Sequence, residues 1–140
     1  MNIFADTSGL FALLVKNDYM HIRARENFNY FAENNVQLMT TSFVLVETAA
    51  LLQSRIGLDA VRDFHLKLFP LLEVVWVDDQ WYGRAMHRLL TQTGKTISLA
   101  DCLSFEVMEA LQIQCAFAFD KHFEENGFTL AAFHALDQRG

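Results

Sequence analysis

"NIFADTSGL", residues 2–10, runs four mostly apolar residues into a carboxylate, two hydroxyls and a glycine. A short apolar run bounded by polar residues reads as a buried strand, so the acid at its end needs a reason, because an unpaired buried carboxylate is expensive. The same pattern recurs in "VQLMT" (36–40), "LEVVWV" (72–77), "CAFAF" (115–119) and a short run at 128–130. Helical spacing fills the intervals. A short helix is predicted in "SGLFALLVKN", a second from His21 to about Glu33 along Ile22, Ala24, Phe28, Phe31 and Ala32, and a third capped by Ser42 and ending near Arg55 ahead of Gly57. A fourth runs over 59–69, stopped before Pro70; a fifth over 79–92 is closed by Gly94. "SLADCLSFEVMEALQ" opens with Ser98 and Asp101 at capping-box spacing, and "KHFEEN" reads as a short polar helix. Strands alternating with helices predict an α/β domain of three layers, a central, mostly parallel sheet of four or five strands with helices on both faces. The terminal "FHALDQRG" reads equally as a last helix or a tail.

With 140 residues, the chain is expected to form a single domain over 1–140. The 52% hydrophobic content, thirteen phenylalanines and one proline exclude a disordered or linker-rich chain. Apolar runs stop far short of the ~20 residues that span a bilayer, and no basic stretch leads into an apolar leader, so a cytoplasmic protein without a membrane span is expected. Cys102 and Cys115 lack metal-binding spacing and sit in apolar company, which predicts reduced, buried thiols. The net charge of −6 excludes nucleic-acid binding by a generally basic surface. A polyanionic partner then requires bound divalent cations or a local basic patch.

Four acids stand in apolar surroundings. Asp6 ends the first strand and Asp120 the "CAFAF" strand, so both share one sheet edge if those strands are parallel, and ligands of open parallel sheets collect beyond the carboxyl ends. Glu47 lies about a turn into the third helix beside Phe43, Val46, Ala50 and Leu51, which predicts that part of it faces the core. Asp101 occupies the first turn of the helix opened by Ser98. Each has a purely local reading: Asp6 as a helix cap, Asp101 as a capping-box acid, Asp120 as a turn former, Glu47 as partner of an arginine distant in sequence. As a cluster they need something more, because carboxylates about 5 Å apart repel by roughly 3 kcal/mol per pair at an effective dielectric near 20. Mg²⁺ or Mn²⁺ suits an all-oxygen ligand set beside a phosphate.

At this point the chain resembles the PIN-domain ribonucleases, in particular the VapC-type toxins of toxin–antitoxin pairs. The resemblance rests on "FADTSGLFAL", "FVLVETAALL", "SLADCLSFEVM" and "AFAFDKHFEENGF", in that order along nearly the whole chain. It implies a Mg²⁺- or Mn²⁺-dependent site for RNA phosphodiester hydrolysis by an activated water, with no covalent enzyme intermediate. Asp6 and Asp101 would be the principal ligands, Glu47 and Asp120 would complete the pocket directly or through water, and Thr7 and Ser8 would support it. It also implies an RNA substrate, a small antitoxin protein docked in an apolar groove, and a homodimer or higher oligomer. The contrasting reading is a PIN-like module with little or no activity that binds a protein partner or RNA.

Other chemistries lack their parts. The five histidines form no compact zinc set, and no phosphate-cradling glycine motif occurs. His122, two residues after Asp120, either touches the site or lies in a solvated polar helix. Arg84, His87 and Arg88 share a helix face with Lys95 shortly after, so Arg84, Arg88 and Lys95 are candidate RNA contacts, against a reading in which they are simply solvated.

Overall fold

The computed structural model describes residues 1–131; "FHALDQRG", read above as helix or tail, lies outside the described residues. The elements run β1 (Asn2–Ala5), α1 (Thr7–Leu14), α2 (His21–Glu33), β2 (Gln37–Thr41), α3 (Ser42–Arg55), α4 (Leu58–Asp63), β3 (Leu72–Val75), α5 (Asp79–Leu90), α6 (Leu99–Ala110), β4 (Cys115–Phe117), α7 (His122–Glu125) and β5 (Thr129–Leu130). The five strands form one sheet in the order β3-β2-β1-β4-β5. Every pairing is parallel, including Phe4 opposite Ala116 and Ala5 opposite Phe117. The alternation of strand and helix therefore gives the expected three-layer α/β architecture.

Connections leave β1 toward β2 on one side and return to β4 on the other. Because such crossovers are right-handed, helices before and after the return lie on opposite faces. The core shows this division. Phe117 meets Phe31 of α2 edge-on with centroids 5.4 Å apart, whereas Phe123 meets Phe105 of α6 at 5.3 Å and Phe4 at 6.4 Å. Phe4 and Phe117 point to opposite faces because their register partners, Ala116 and Ala5, alternate. The reversal of direction between β1 and β4 is the switch point at which open α/β sheets bind ligands.

Several local expectations shift. Gly9 lies inside α1, and a Cβ there would stand 2.3 Å from the Phe117 carbonyl oxygen, so only glycine lets α1 approach β4 this closely. Thr41, not Ser42, caps α3, accepting from the Val44 amide at 3.1 Å, while Ser42 Oγ accepts from the Val77 amide at 2.8 Å. The helix expected to stop before Pro70 instead widens into a π-helical turn over Phe64–Leu68 and tightens into a 3₁₀ turn, Phe69–Leu71, that contains the proline. On α2, Ile22 and Ala32 are exposed; the buried positions are Ala24, Asn27 and Phe31. Cys102 and Cys115 are buried free thiols, and burial pushes Cys115 up to about 11. Among the described residues, no helix is long and apolar enough to cross a membrane.

Candidate metal and phosphodiester site

The parallel pairing of β1 and β4 sends Asp6 and Asp120 out of the same sheet edge, where α3 and α6 also begin. Asp6, Glu47, Asp101 and Asp120 all line one pocket of about 210 Å³, with Ser98, Ser104 and His122 among its other walls. Four acids separated by up to 114 residues in the chain thus open onto the same space.

Asp6 is the cap of α1, as its local reading predicts. One carboxylate oxygen accepts from the Ser8 amide at 3.3 Å and from Ser8 Oγ at 2.9 Å, and Ser8 Oγ in turn accepts from the Phe119 amide at 3.0 Å. One hydroxyl therefore ties the end of β1 to the segment that delivers Asp120. Burial lifts the Asp6 carboxyl from its ordinary 3.8 to about 6, with hydrogen bonds from Ser8 and Thr7 pulling it down and the Glu47 charge adding to the rise. Among the described residues, no lysine or arginine lines the pocket to offset this.

Glu47 departs from the expected placement: it is exposed to solvent and, among the described residues, has no arginine partner. Thr7 Oγ1 donates to Glu47 Oε1 at 2.7 Å and accepts from Thr48 Oγ1 at 3.1 Å. Helical counting gives its neighbours correctly, but its face of α3 borders an open cleft rather than the core; Phe43 and Val46 are also exposed.

Asp101 forms half of the capping pattern, its amide donating to Ser98 Oγ at 3.1 Å. Its carboxylate lies 2.8 Å from His122 Nδ1, which is also 3.2 Å from Asp120 Oδ1. Burial raises the Asp101 carboxyl, opposed by His122 and reinforced by Asp120. Asp120 Oδ1 also accepts from the His122 amide at 2.9 Å, the turn its local reading anticipates. His122 is thus the wedge between two of the acids, although in the sequence its place in a short polar helix favours reading it as a solvated side chain; its spacing two residues after Asp120 is the sequence signal for the site.

The candidate RNA contacts Arg84, Arg88 and Lys95 stand in ion pairs outside the acidic pocket. Arg84 and Arg88 pair with Glu106 at 3.4 and 2.6 Å, Arg88 also with Glu109 at 2.9 Å, and Lys95 with Glu125 at 3.4 Å. Arg88 is further covered by the Phe105 ring. None of the three lines the acidic pocket; Arg84 and Arg88 join α5 to α6, and Lys95 reaches α7.

Comparison with known proteins agrees with this geometry. The chain is 34% identical over 127 residues to the 23S rRNA-specific endonuclease VapC20 of Mycobacterium tuberculosis strain CDC 1551 / Oshkosh, covering 90% of this chain and 95% of the relative, and the protein of strain H37Rv matches to the same extent. The crystal structure of M. tuberculosis VapC20, described as a sarcin-ricin loop cleaving toxin, superimposes with a TM-score of 0.78 at 31% identity over 91% of this chain and 96% of that one. The PIN-domain family model matches residues 3–129, and the chain belongs to that family.

Proposed function

We propose that this chain is a divalent-metal-dependent endoribonuclease, the toxin of a toxin–antitoxin pair, with ribosomal RNA as the first substrate class to test. The observation that carries the reading is the convergence of Asp6, Glu47, Asp101 and Asp120 on one pocket that, among the described residues, no lysine or arginine lines. The donor set suits Mg²⁺ or Mn²⁺, which prefer oxygen ligands. Among the described residues no three acidic, histidine or cysteine side chains stand ready as a coordination set. Mg²⁺ does not require one, since it is commonly held by one or two carboxylates and keeps several waters. Asp6 and Asp101 would hold the ion principally, with Glu47 and Asp120 acting directly or through water. When bound, such an ion lowers the pKa of water and stabilises charge on phosphoryl oxygens.

The chain's own contribution is to fix the carboxylates before substrate arrives. Ser8 holds the Asp6 rotamer, Thr7 holds Glu47, and His122 keeps Asp101 and Asp120 close despite their like charge. Positions set in advance lower the reorganisation required when charge develops at phosphorus.

An adjoining apolar groove of about 570 Å³ shares Phe43 and Ala100 with the acidic pocket and is walled by Val46, Trp76, Tyr82 and Leu103. It supports docking of a small antitoxin protein beside the acids, and it equally favours the second reading, a binding module with little activity. Homodimerisation or a higher assembly and a cytoplasmic location belong to the same proposal.

The test is cleavage of intact ribosomes and of a mixed RNA pool, with and without Mg²⁺ or Mn²⁺, beside Asp6→Asn and Asp101→Asn proteins verified as folded. Metal-dependent cutting lost in both variants is the expected result. Full activity in either variant overturns the site assignment. No cutting by folded, partner-free protein overturns the nuclease reading in favour of the binding module.

A further inference from the structure

Next to Asp6, through its hydrogen-bond partner Ser8, lies another cleft of about 230 Å³, bounded by Ser8, Phe11, Tyr19, Leu51, Arg55 and Phe119. Ser8 is the partition: its hydroxyl bonds the Asp6 carboxylate, and its side chain lines this cleft. Glu47, Leu51 and Arg55 follow one another at single-turn spacing on α3, so the cation stands two turns, about 12 Å, along the helix from the acid. The Arg55 guanidinium makes no ion pair among the described residues and lies 5.7 Å from the Phe11 ring centroid, in contrast to the committed Arg84 and Arg88. Tyr19 is 89% exposed, more than any other large hydrophobic side chain described. The one acid in the cleft, Asp18, has a carboxylate oxygen engaged by the Met20 amide at 2.9 Å.

We propose that this cleft is the subsite for an unpaired nucleotide flanking the scissile phosphate, with Arg55 gripping the flanking phosphate and Tyr19 stacking on the base. The proposal rests on the ribonuclease reading and adds what that reading lacks, a place for the strand beyond the acids. A chain of net charge −6 with four carboxylates around the reacting phosphate needs a cation set off from them to hold the strand, and the uncommitted guanidinium supplies it. An arginine resting on an aromatic ring beside a second, exposed aromatic is also the combination that single-stranded nucleic acids use, charge for the backbone and a ring face for the base. An arginine fits here better than a lysine because its planar fork can hold a phosphate while its face lies on Phe11.

The experiment measures RNA binding over a salt series and initial rates of cleavage, using a short unstructured RNA oligonucleotide with the full chain and its Arg55→Gln, Tyr19→Ala and Tyr19→Phe variants. Both positions are exposed, and thermal unfolding with calorimetric Mn²⁺ titration checks that fold and metal affinity are unaltered. Arg55→Gln is expected to weaken RNA binding about three- to tenfold and to flatten the log–log salt dependence by ~0.7, the release expected for one single-strand phosphate contact. The loss should fall on KM with kcat nearly unchanged. Tyr19→Ala should weaken binding with the salt slope intact, and Tyr19→Phe should restore it. Unchanged affinity and slope in Arg55→Gln overturn the subsite while leaving the nuclease reading standing. A fall in kcat at constant KM overturns it too. Wild-type protein that neither binds nor cuts RNA overturns both readings together.

Discussion

Replacing Asp6 with asparagine should make the metal-free protein more stable at neutral pH while removing its response to metal. Asparagine keeps an oxygen to accept from the Ser8 amide and hydroxyl and is as good a helix cap as aspartate, so the local structure survives. What it removes is the charge. Burial is the largest cause lifting the Asp6 carboxyl from 3.8 to about 6, so the folded chain disfavours its ionised form. A rise of that size corresponds to about 3 kcal/mol at neutral pH as a ceiling, and to nearer ~1 kcal/mol where solvent screens a partly exposed group. The sign follows from the folded value lying above the unfolded one. The penalty is absent below about pH 3.8, grows between 3.8 and 6, and is constant above 6.

Urea unfolding in EDTA at pH 7.5 and pH 4.5 measures the effect as the difference between the two proteins, which removes the contribution of carboxylates they share. Asp6→Asn should be the more stable at pH 7.5, with roughly a third of the advantage left at pH 4.5. Adding Mn²⁺ at about ten times its dissociation constant should then stabilise the wild-type chain by ~1.4 kcal/mol and leave the variant unmoved. An asparagine variant that is less stable at pH 7.5, or whose advantage does not change with pH, refutes the claim that the Asp6 charge is held against its own electrostatic preference.

Gly9→Ala should destabilise the fold by about 1–3 kcal/mol or more in chemical denaturation, since the added methyl meets a backbone carbonyl rather than a side chain that can move. It should also weaken Mn²⁺ binding by pushing α1, and with it Asp6, away from β4. His122→Ala should bind Mn²⁺ at least as tightly as wild type and up to ~tenfold more tightly by calorimetry, because the imidazole occupies oxygens that a cation needs. Weaker binding would make the imidazole itself a ligand. Thr7→Val should lower stability by about 1 kcal/mol, as the buried Thr48 hydroxyl loses its acceptor, and should reduce cleavage by freeing Glu47; unchanged cleavage would show that Glu47 needs no such tether.

Much of this was legible because the signals are local. Each strand is an apolar run with polar punctuation, the helices α1, α3, α5 and α6 carry a hydroxyl or acidic cap while α2 starts at Met20 without one, and the parallel sheet follows from their alternation. Where two neighbours offer the same chemistry, local sequence cannot choose: Thr41 and Ser42 both supply a capping oxygen, and the choice falls to Thr41 while Ser42 serves the Val77 amide, 35 residues away. Pro70 marks disruption without telling its form, here a widened and then tightened helix. The pairing of Arg84 and Arg88 with Glu106 and Glu109 depends on how α5 lies on α6, which no spacing within α5 encodes. Glu47 illustrates the same limit, since helical periodicity gives its neighbours but not whether a cleft or the core faces them.

The local and the joint readings of the acids turn out not to compete. Asp6 caps α1, Asp101 sits in the first turn of α6 over Ser98, and Asp120 forms the turn that starts α7. The first turns of α1 and α6 carry unpaired amides and the positive end of the helix dipole, so each favours a carboxylate at that position for reasons confined to a few residues. The sheet topology then brings those two N-termini to the same edge, and the preferences that place the acids singly assemble them as a group. This is how four carboxylates can stand around one pocket without a lysine or arginine lining it among the described residues: helix N-terminal amides supply part of the compensation, the His122 ring bridges Asp101 and Asp120, and the remainder appears as the raised proton affinity of Asp6. That unrelieved remainder is what a divalent ion would remove. The acid at the end of "NIFA" therefore has two roles in this reading, as the cap of a helix and as one wall of the pocket proposed to take a cation.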